Sequence, residues 1–186
     1  TEVNQYFLSY KFGKTATKYG RQRILLDNQR FVGGVGFRQN EQTYDAFSVT
    51  SKDVENLTLF AAYVTNVNRI FGEGSTPDVQ SKGQLLGDHD HKTVLLNANY
   101  KFMPELSLTG YYYAIDNITY ADHSSDTFGL RATGQVSDFG YVAEFASQSE
   151  GGDNPAEYSA AYMNLEGSYA IKPVKFTIGH EVLGSD

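Results

Sequence analysis

The chain has 186 residues, a net charge of -7 and a mean hydropathy of -0.42. This acidic balance argues against a nucleic-acid partner, which normally meets a basic surface. The longest apolar run, 59–64, is far shorter than the roughly 20 residues of a membrane-spanning helix. Cysteine is absent, which excludes disulfides and thiolate metal sites. Crossing by β-strands is not excluded, because such strands hide apolar residues at every second position.

Alternation of apolar and polar residues predicts about ten β-strands along the chain. The clearest is 93–102, where Val94 and Leu96 share one face, Asn97 lies on the other, and Leu95 is an exception. In chain order the predicted strands are 6–12, 16–24, 43–51, 56–67, 93–102, 106–115, 127–133, 139–148, 158–169 and 174–179. Most approach the roughly 9–11 residues that cross a bilayer at a tilt. The apolar residues predicted to face lipid include Val94, Leu96, Phe128, Leu130, Phe176 and Ile178.

The connections between these strands alternate strictly between short and long. The short ones are 13–15, 52–55, 103–105, 135–138 and 170–173, and the long ones are 26–42, 68–91, 116–125 and 149–157. This alternation is typical of outer-membrane barrels, which have tight periplasmic turns and long external loops. The predicted fold class is therefore all-β, an up-and-down antiparallel transmembrane β-barrel. Because such barrels usually begin and end on the periplasmic side, residues 1–186 are expected to form a single segment, incomplete at both ends, of a larger barrel.

Aromatic residues collect beside the short turns. They are Tyr10, Phe12, Tyr19, Tyr100, Phe102, Phe139, Tyr141 and Tyr169. Rings at one level form an interfacial girdle, where an amphipathic ring is half wet and half buried.

Three segments resemble the alginate-export-like porins of the bacterial outer membrane. They are Gly20-Arg21-Gln22-Arg23, residues 26–46 (LDNQRFVGGVGFRQNEQTYDA) and residues 63–72 (YVTNVNRIFG). The resemblance covers roughly the first seventy residues, and it implies a monomeric outer-membrane channel. It does not imply alginate as the solute, because many members of such families occur in bacteria that make none. Basic and acidic residues are mixed here, whereas the conduit of the type member is strongly arginine-rich, and this argues against a dedicated polyanion exporter.

Charged residues are densest around the first long connection. The cluster consists of Arg21, Arg23, Asp27, Arg30, Arg38, Glu41 and Asp45. Arg21 and Arg23 share one face of a strand, and an arginine facing lipid at the midplane costs about 2–4 kcal/mol, so we expect both in the lumen. One interpretation is a constriction whose arginines attract carboxylate or phosphate groups. The other is that these residues pair with one another and brace loop and wall.

Further charged residues fall on the polar side of their strands. They are Arg131, Lys175, Lys101, Lys11, Glu144 and Glu181. Of these, Arg131 and Lys175 are also predicted to line the pore. The run Asp88-His89-Asp90-His91 has side chains that could bind a divalent ion, but an exposed polar loop is the simpler interpretation, and no metal site is predicted.

The sequence predicts a passive channel for small hydrophilic or anionic solutes or oligosaccharides, with no catalytic residues and no cofactor. Its expected partners are outer-membrane lipid and lipopolysaccharide, and its expected oligomeric state is a monomer in the complete barrel. Two alternatives stay open at this point. One is a plugged structural or surface-binding outer-membrane barrel, and the other is a soluble β-sandwich that binds carbohydrate.

Overall fold

In the part of the chain that the structure describes, ten antiparallel strands form one continuous sheet, in which each strand pairs with its neighbours in sequence. The computed structural model describes residues 3–38, 40–72 and 87–184. Its strands are β1 (Tyr6–Phe12), β2 (Thr15–Gln22), β3 (Thr43–Ser51), β4 (Leu57–Asn68), β5 (Asp88–Met103), β6 (Leu106–Ile115), β7 (Ser125–Val136), β8 (Phe139–Glu150), β9 (Ser159–Ile171) and β10 (Val174–Leu183). A 3-10 helix, Ala121–His123, lies between β6 and β7. Among the described residues, no helix has the length and apolar character needed to span a membrane.

This architecture confirms the predicted fold class, with differences at the strand ends. The structure joins strands by two to five residues at one end of the sheet and by 23–42, 69–87, 116–124 and 151–158 at the other. The largest difference is β5, which begins at Asp88 instead of residue 93. Its first residues pair with Asn66, Val67 and Asn68 of β4 beyond an irregularity in the register. Part of the predicted long loop 68–91, residues 73–86, lies outside the described residues.

The two faces of the sheet differ as the alternation predicts. Leu96 lies opposite Tyr112, which lies opposite Phe128, so these three share one face, which we call the outer face. The same face continues to Ile178 on β10, which is 80% exposed. Leu95, one residue from Leu96, points the other way and is 1% exposed. A single sheet with one apolar, exposed face is not a sandwich, whose apolar faces pack against each other.

The aromatic residues beside the short turns all lie on the outer face by register. Tyr100, Phe139 and Tyr169 are examples, with Phe139 directly opposite Tyr169. The rings of Tyr100 and Phe102 pack edge to face with centroids 4.6 Å apart. A band of half-exposed rings at one end of an apolar surface fits the boundary between hydrocarbon and water.

A side-chain cluster fixes the first two short connections to each other. Asp53 accepts hydrogen bonds from the Thr15 hydroxyl at 2.5 Å and from the Lys14 N–H at 2.9 Å. These bonds lower the pKa of Asp53 from its ordinary value. Gly13 has a φ of 57°, and a Cβ at this position would lie 3.2 Å from the Asp53 carboxylate. A glycine therefore suits the turn, because it adopts the positive φ without strain and leaves room for the Asp53 carboxylate.

The sheet curves around the long connection between β2 and β3. In a flat sheet, eight interstrand spacings would separate β2 from β10 by about 38 Å. The eight residues from Gln22 to Arg30 reach at most about 28 Å when fully extended, and part of them forms a turn in which Gln29 N–H donates to Leu26 C=O. Arg30 nevertheless lies 3.7 Å from Glu181 of β10. The face opposite the outer face is therefore concave.

We expect a charge on the outer face to destabilise the protein far more than one on the concave face. Leu130→Arg should lower the free energy of unfolding by about 2–4 kcal/mol, because the guanidinium would enter hydrocarbon. Thr133→Arg, on the concave side of the same strand, is the matched control and should change it little. Urea unfolding of the complete barrel in lipid vesicles measures both, and equal losses would contradict the assignment of faces.

Candidate functional site

The connection 23–42, which we call the inner loop, crosses the concave face instead of projecting from the end of the sheet. It turns back on itself through Leu26, whose N–H donates to Val32 C=O at 3.2 Å. Ile24 and Val32 are both 3% exposed. The loop thus has its own small apolar contact with the wall, which fixes its course over the sheet.

Phe31 is the apolar anchor of the inner loop. Its ring centroid lies 5.8 Å from that of Tyr111, 6.4 Å from Tyr113 and 5.6 Å from Tyr162. These distances and the tilted or edge-on geometries are those at which aromatic pairs attract beyond their buried area. Tyr111 and Tyr113 belong to β6 and Tyr162 to β9, so one ring joins the loop to two separate parts of the wall.

Glu144 on β8 is the polar anchor. Its side chain is 1% exposed and forms an ion pair with Arg131 on β7. The Tyr111 hydroxyl donates to it at 2.8 Å and the Asn28 amide at 3.3 Å. A buried carboxylate needs this many donors to offset the loss of water. Because Asn28 belongs to the inner loop, the same carboxylate holds wall and loop together.

Two further contacts of the inner loop involve charges. Asp27 accepts hydrogen bonds from the Asn97 amide at 2.8 Å and from the Tyr113 hydroxyl at 3.2 Å. Arg30 lies 3.7 Å from Glu181, and its guanidinium carbon lies 5.3 Å from the centroid of the Tyr162 ring. The loop is therefore attached from β5 to β10, and its charged side chains meet opposite charges or polar groups on the wall.

The concave face holds four of the predicted pore-lining residues. Asp27 and Arg30 lie on the inner loop, and Arg131 lies beneath it. Lys175 lies on the concave side of β10, because the neighbouring Phe176 is on the outer face opposite Tyr169. Lys175 is exposed, and no described carboxylate forms an ion pair with it.

The prediction that Arg21 lies in the lumen is wrong, and so is the corresponding placement of Asp45. Arg21 pairs in register with Tyr6 and Asp45, on the same face as Tyr19, which is the outer face. Its Nε lies 2.9 Å from the Asp45 carboxylate, and its guanidinium lies over the Tyr6 ring. Asn66 also donates to Asp45. The position is tolerated because it lies at the long-loop end of the strand, where the charge is paired.

The contacts between the inner loop and the concave wall also do not include Arg23, Glu41 or Arg38. Arg23 donates to Glu41 at 2.6 Å, and Asn4 donates to the same oxygen at 3.0 Å. The hydrogen bond and attraction from Glu41 raise the pKa of Arg23. Arg23 lies beyond the end of β2 and stays exposed, so its predicted position in the lumen is also not observed. Arg38 is exposed and lies over the ring of its neighbour Phe37.

The histidines of Asp88-His89-Asp90-His91 are not in an exposed loop. They belong to β5, where His89 is 2% and His91 9% exposed on the concave side, while the two aspartates are exposed. The alternation therefore separates the imidazoles from the carboxylates. In the part of the chain that the structure describes, no group of three or more histidine and carboxylate side chains could hold a metal ion.

Sequence reasoning missed the aromatic and amide residues that hold the inner loop. They are Phe31, Tyr111, Tyr113, Asn28 and Asn97. The run of tyrosines in β6 carried a signal, because Tyr111 and Tyr113 lie on the opposite face from Tyr112 and therefore on the polar side. Rings with hydroxyl groups on a polar face are candidates for contact with a loop.

An apolar band, an aromatic border and a loop folded into a polar concave wall define a porin-type outer-membrane protein. The family model for the outer membrane porin, OprD family, matches residues 7–186. The chain belongs to this OprD family and is a protein of the bacterial outer membrane. The family is thus not that of the alginate-export-like porins, whose likeness rested on the first seventy residues alone.

Solved porin structures share the fold. OccAB2 of Acinetobacter baumannii is 20% identical with a TM-score of 0.70, covering 96% of this chain and 45% of that one. OccK8 (OprE) of Pseudomonas aeruginosa is 17% identical with a TM-score of 0.73, covering 97% and 50%. A BenF-like porin from Pseudomonas fluorescens Pf-5 is 16% identical with a TM-score of 0.67, covering 97% and 46%. The chain therefore spans about half the length of these structures. No curated protein sequence matches it.

Removing the charge of Glu144 should destabilise the barrel, because Arg131 would remain buried without a partner. We expect Glu144→Gln to lower the free energy of unfolding by about 3 kcal/mol. The double variant Arg131→Met with Glu144→Gln should recover part of this loss, since neither charge is left. Denaturant unfolding of the three proteins measures the effect. A double variant less stable than Glu144→Gln alone would show that the ion pair is not the cause.

Proposed function

We propose that the chain forms part of a passive channel for small hydrophilic solutes, in which the inner loop narrows the pore. The observation that carries the proposal is the attachment of this loop to the concave wall by Phe31, Asp27 and Glu144. A loop held across the lumen reduces the cross-section through which solutes pass. The remainder of the barrel wall would come from strands beyond β1 and β10, which closure of the sheet requires in a membrane.

The charges on the concave face favour small polar solutes of mixed charge over a single polyanion. Arg30 and Arg131 are paired with Glu181 and Glu144, so their positive charge is largely balanced. Other concave residues are the cations Lys11, Lys101 and Lys175 and the carboxylate Glu166. Lysines on the concave face without a described carboxylate partner would attract anionic groups of solutes, and the carboxylates would attract cationic ones. Nothing in this wall supports alginate as the solute.

The orientation follows the general rule for outer-membrane barrels, with short turns on the periplasmic side and the inner loop entering from outside. Lipid would cover the outer face, and lipopolysaccharide would meet the end that carries Arg21 and Asp45. The complete barrel would be a monomer. We propose no chemical reaction and no cofactor for this function.

Loosening the inner loop should widen the channel. Phe31→Ala removes the ring that contacts three tyrosines of the wall, so we expect larger and noisier single-channel conductance. Phe37→Ala is the matched control, because Phe37 lies in the same loop but is 82% exposed. Both are measured in planar bilayers with the complete protein.

The outcomes of this measurement separate the alternatives. A folded wild-type barrel with no conductance would favour a plugged structural or surface-binding barrel instead of a channel. Conductance that changes equally in the Phe31 and Phe37 variants would leave the channel intact but contradict the role of the inner loop as its constriction.

Ion selectivity should respond to the partner of Arg30. Glu181→Gln removes a carboxylate from the concave face and leaves the Arg30 charge unbalanced, so the ratio of anion to cation permeability should rise. Glu157→Gln makes the same change of charge on an exposed residue of 151–158 and is the control. The reversal potential across a KCl gradient reports the ratio, and a shift toward cations would contradict the assignment of Glu181 to the pore.

A further inference from the structure

A cavity lies between the inner loop and the wall, on the side of the loop that faces away from the open part of the concave face. Its volume is about 170 Å³, and Phe31 and Val32 of the inner loop and Leu95 of β5 form much of its apolar lining. A cavity holds one water molecule when this volume reaches about 10–15 Å³. The space can therefore hold a small ion together with a few waters.

Arg69, directly after β4, extends into this cavity without a carboxylate partner among the described residues. Its Nη1 donates to the neutral Gln42 side chain at 2.5 Å. Its Nε is buried, and no described group accepts a hydrogen bond from it. Burial lowers the pKa of Arg69, but the ordinary value of an arginine is so high that the group stays charged. A partly buried charge of this kind is costly unless an anion compensates it.

Two histidines of β5 lie in the lining. The Asn117 side-chain oxygen accepts the Tyr120 N–H at 2.9 Å, so the Asn117 amide nitrogen must face Nδ1 of His89, 3.3 Å away. That nitrogen therefore accepts, and the neutral ring carries its proton on Nε2. The Thr93 hydroxyl, whose oxygen also accepts the Asp116 N–H, can donate to Nδ1 of His91 at 2.9 Å, and the His91 ring then carries its proton on Nε2.

The described lining lacks the groups that would repel an anion. It contains no aspartate or glutamate. Two of its neutral acceptors are already used, because the Gln42 oxygen accepts from Arg69 and the Asn117 oxygen accepts from Tyr120. A guanidinium and the His91 imidazole beside an apolar wall strengthen any anion contact, since little water screens the charge.

We propose that this cavity binds a small inorganic oxyanion at Arg69, with inorganic phosphate as the probe. The ion would lie behind the inner loop, so it is a resident ligand and not a solute in transit. It would bridge Arg69 at the end of β4 to the His91 imidazole of β5, next to the inner loop. Its consequence would be a loop held more firmly against the wall.

Binding is tested on the complete, folded porin in detergent by phosphorus NMR titration of inorganic phosphate. We expect saturable binding by the wild type and at least about tenfold weaker binding by Arg69→Gln, the loss of one charge-assisted contact. Arg38→Gln removes an arginine from the same region outside the cavity and should bind like the wild type.

Each result is decisive. No saturable binding by the folded wild type, or equal binding by Arg69→Gln, overturns the proposal. If Arg69→Gln does not fold, as judged by circular dichroism, His91→Leu replaces it, with weaker binding expected and unchanged binding contradicting the site. Conductance is measured on the same preparation as a separate readout, so the channel proposal and the anion site are tested independently. A conducting porin that does not bind phosphate overturns only this inference.

Discussion

Hydrocarbon offers no hydrogen-bond partners, so each backbone N–H and C=O of a membrane-spanning strand must find its partner within the protein. Each described strand pairs along its length with its sequence neighbour, because an unpaired N–H or C=O in hydrocarbon costs several kcal/mol. Once the backbone is committed to the sheet, side chains alternate between two solvents. Leu96 and Leu130 then face lipid, while their neighbours in sequence face the concave side. The curvature of the sheet turns that second side into a wall on which a loop can be held.

The inner loop explains the positions at which the alternation fails. Leu95 is an apolar residue on the polar side of β5, yet it is 1% exposed, because Phe31 and Val32 lie in front of it. The same loop accounts for the burial of Tyr111 and Tyr113. A strand of a water-filled wall would carry polar residues at these positions, so apolar and aromatic exceptions on the concave side mark the area that the loop covers.

Strand number, strand direction and the facing of most apolar residues could be predicted from the sequence, because they depend on local periodicity. The placement of Arg21 could have been predicted as well: it lies two residues from Tyr19, which is on the outer face, and this parity carries more weight than the cost of a lipid-facing charge at the midplane. The role of Glu144 could not be predicted in the same way. Its contacts with Asn28 and Arg131 join separate parts of the chain, and no local pattern reports which loop will lie above a given strand.

In the proposed channel, the pairing of the arginines would shift the basis of selectivity to other residues. Carboxylate partners are present for all four of Arg21, Arg23, Arg30 and Arg131. We therefore expect these arginines to brace the structure more than they attract solutes. An ion pair balances two charges at short range, and at distances beyond a Debye length of about 8 Å it contributes little potential. Lysines without a described carboxylate partner, such as Lys101 and Lys175, place an unbalanced charge on the concave face. Under the proposed channel function, Arg30 and Arg131 would therefore hold the inner loop against the wall, and the lysines would set the field that a solute meets.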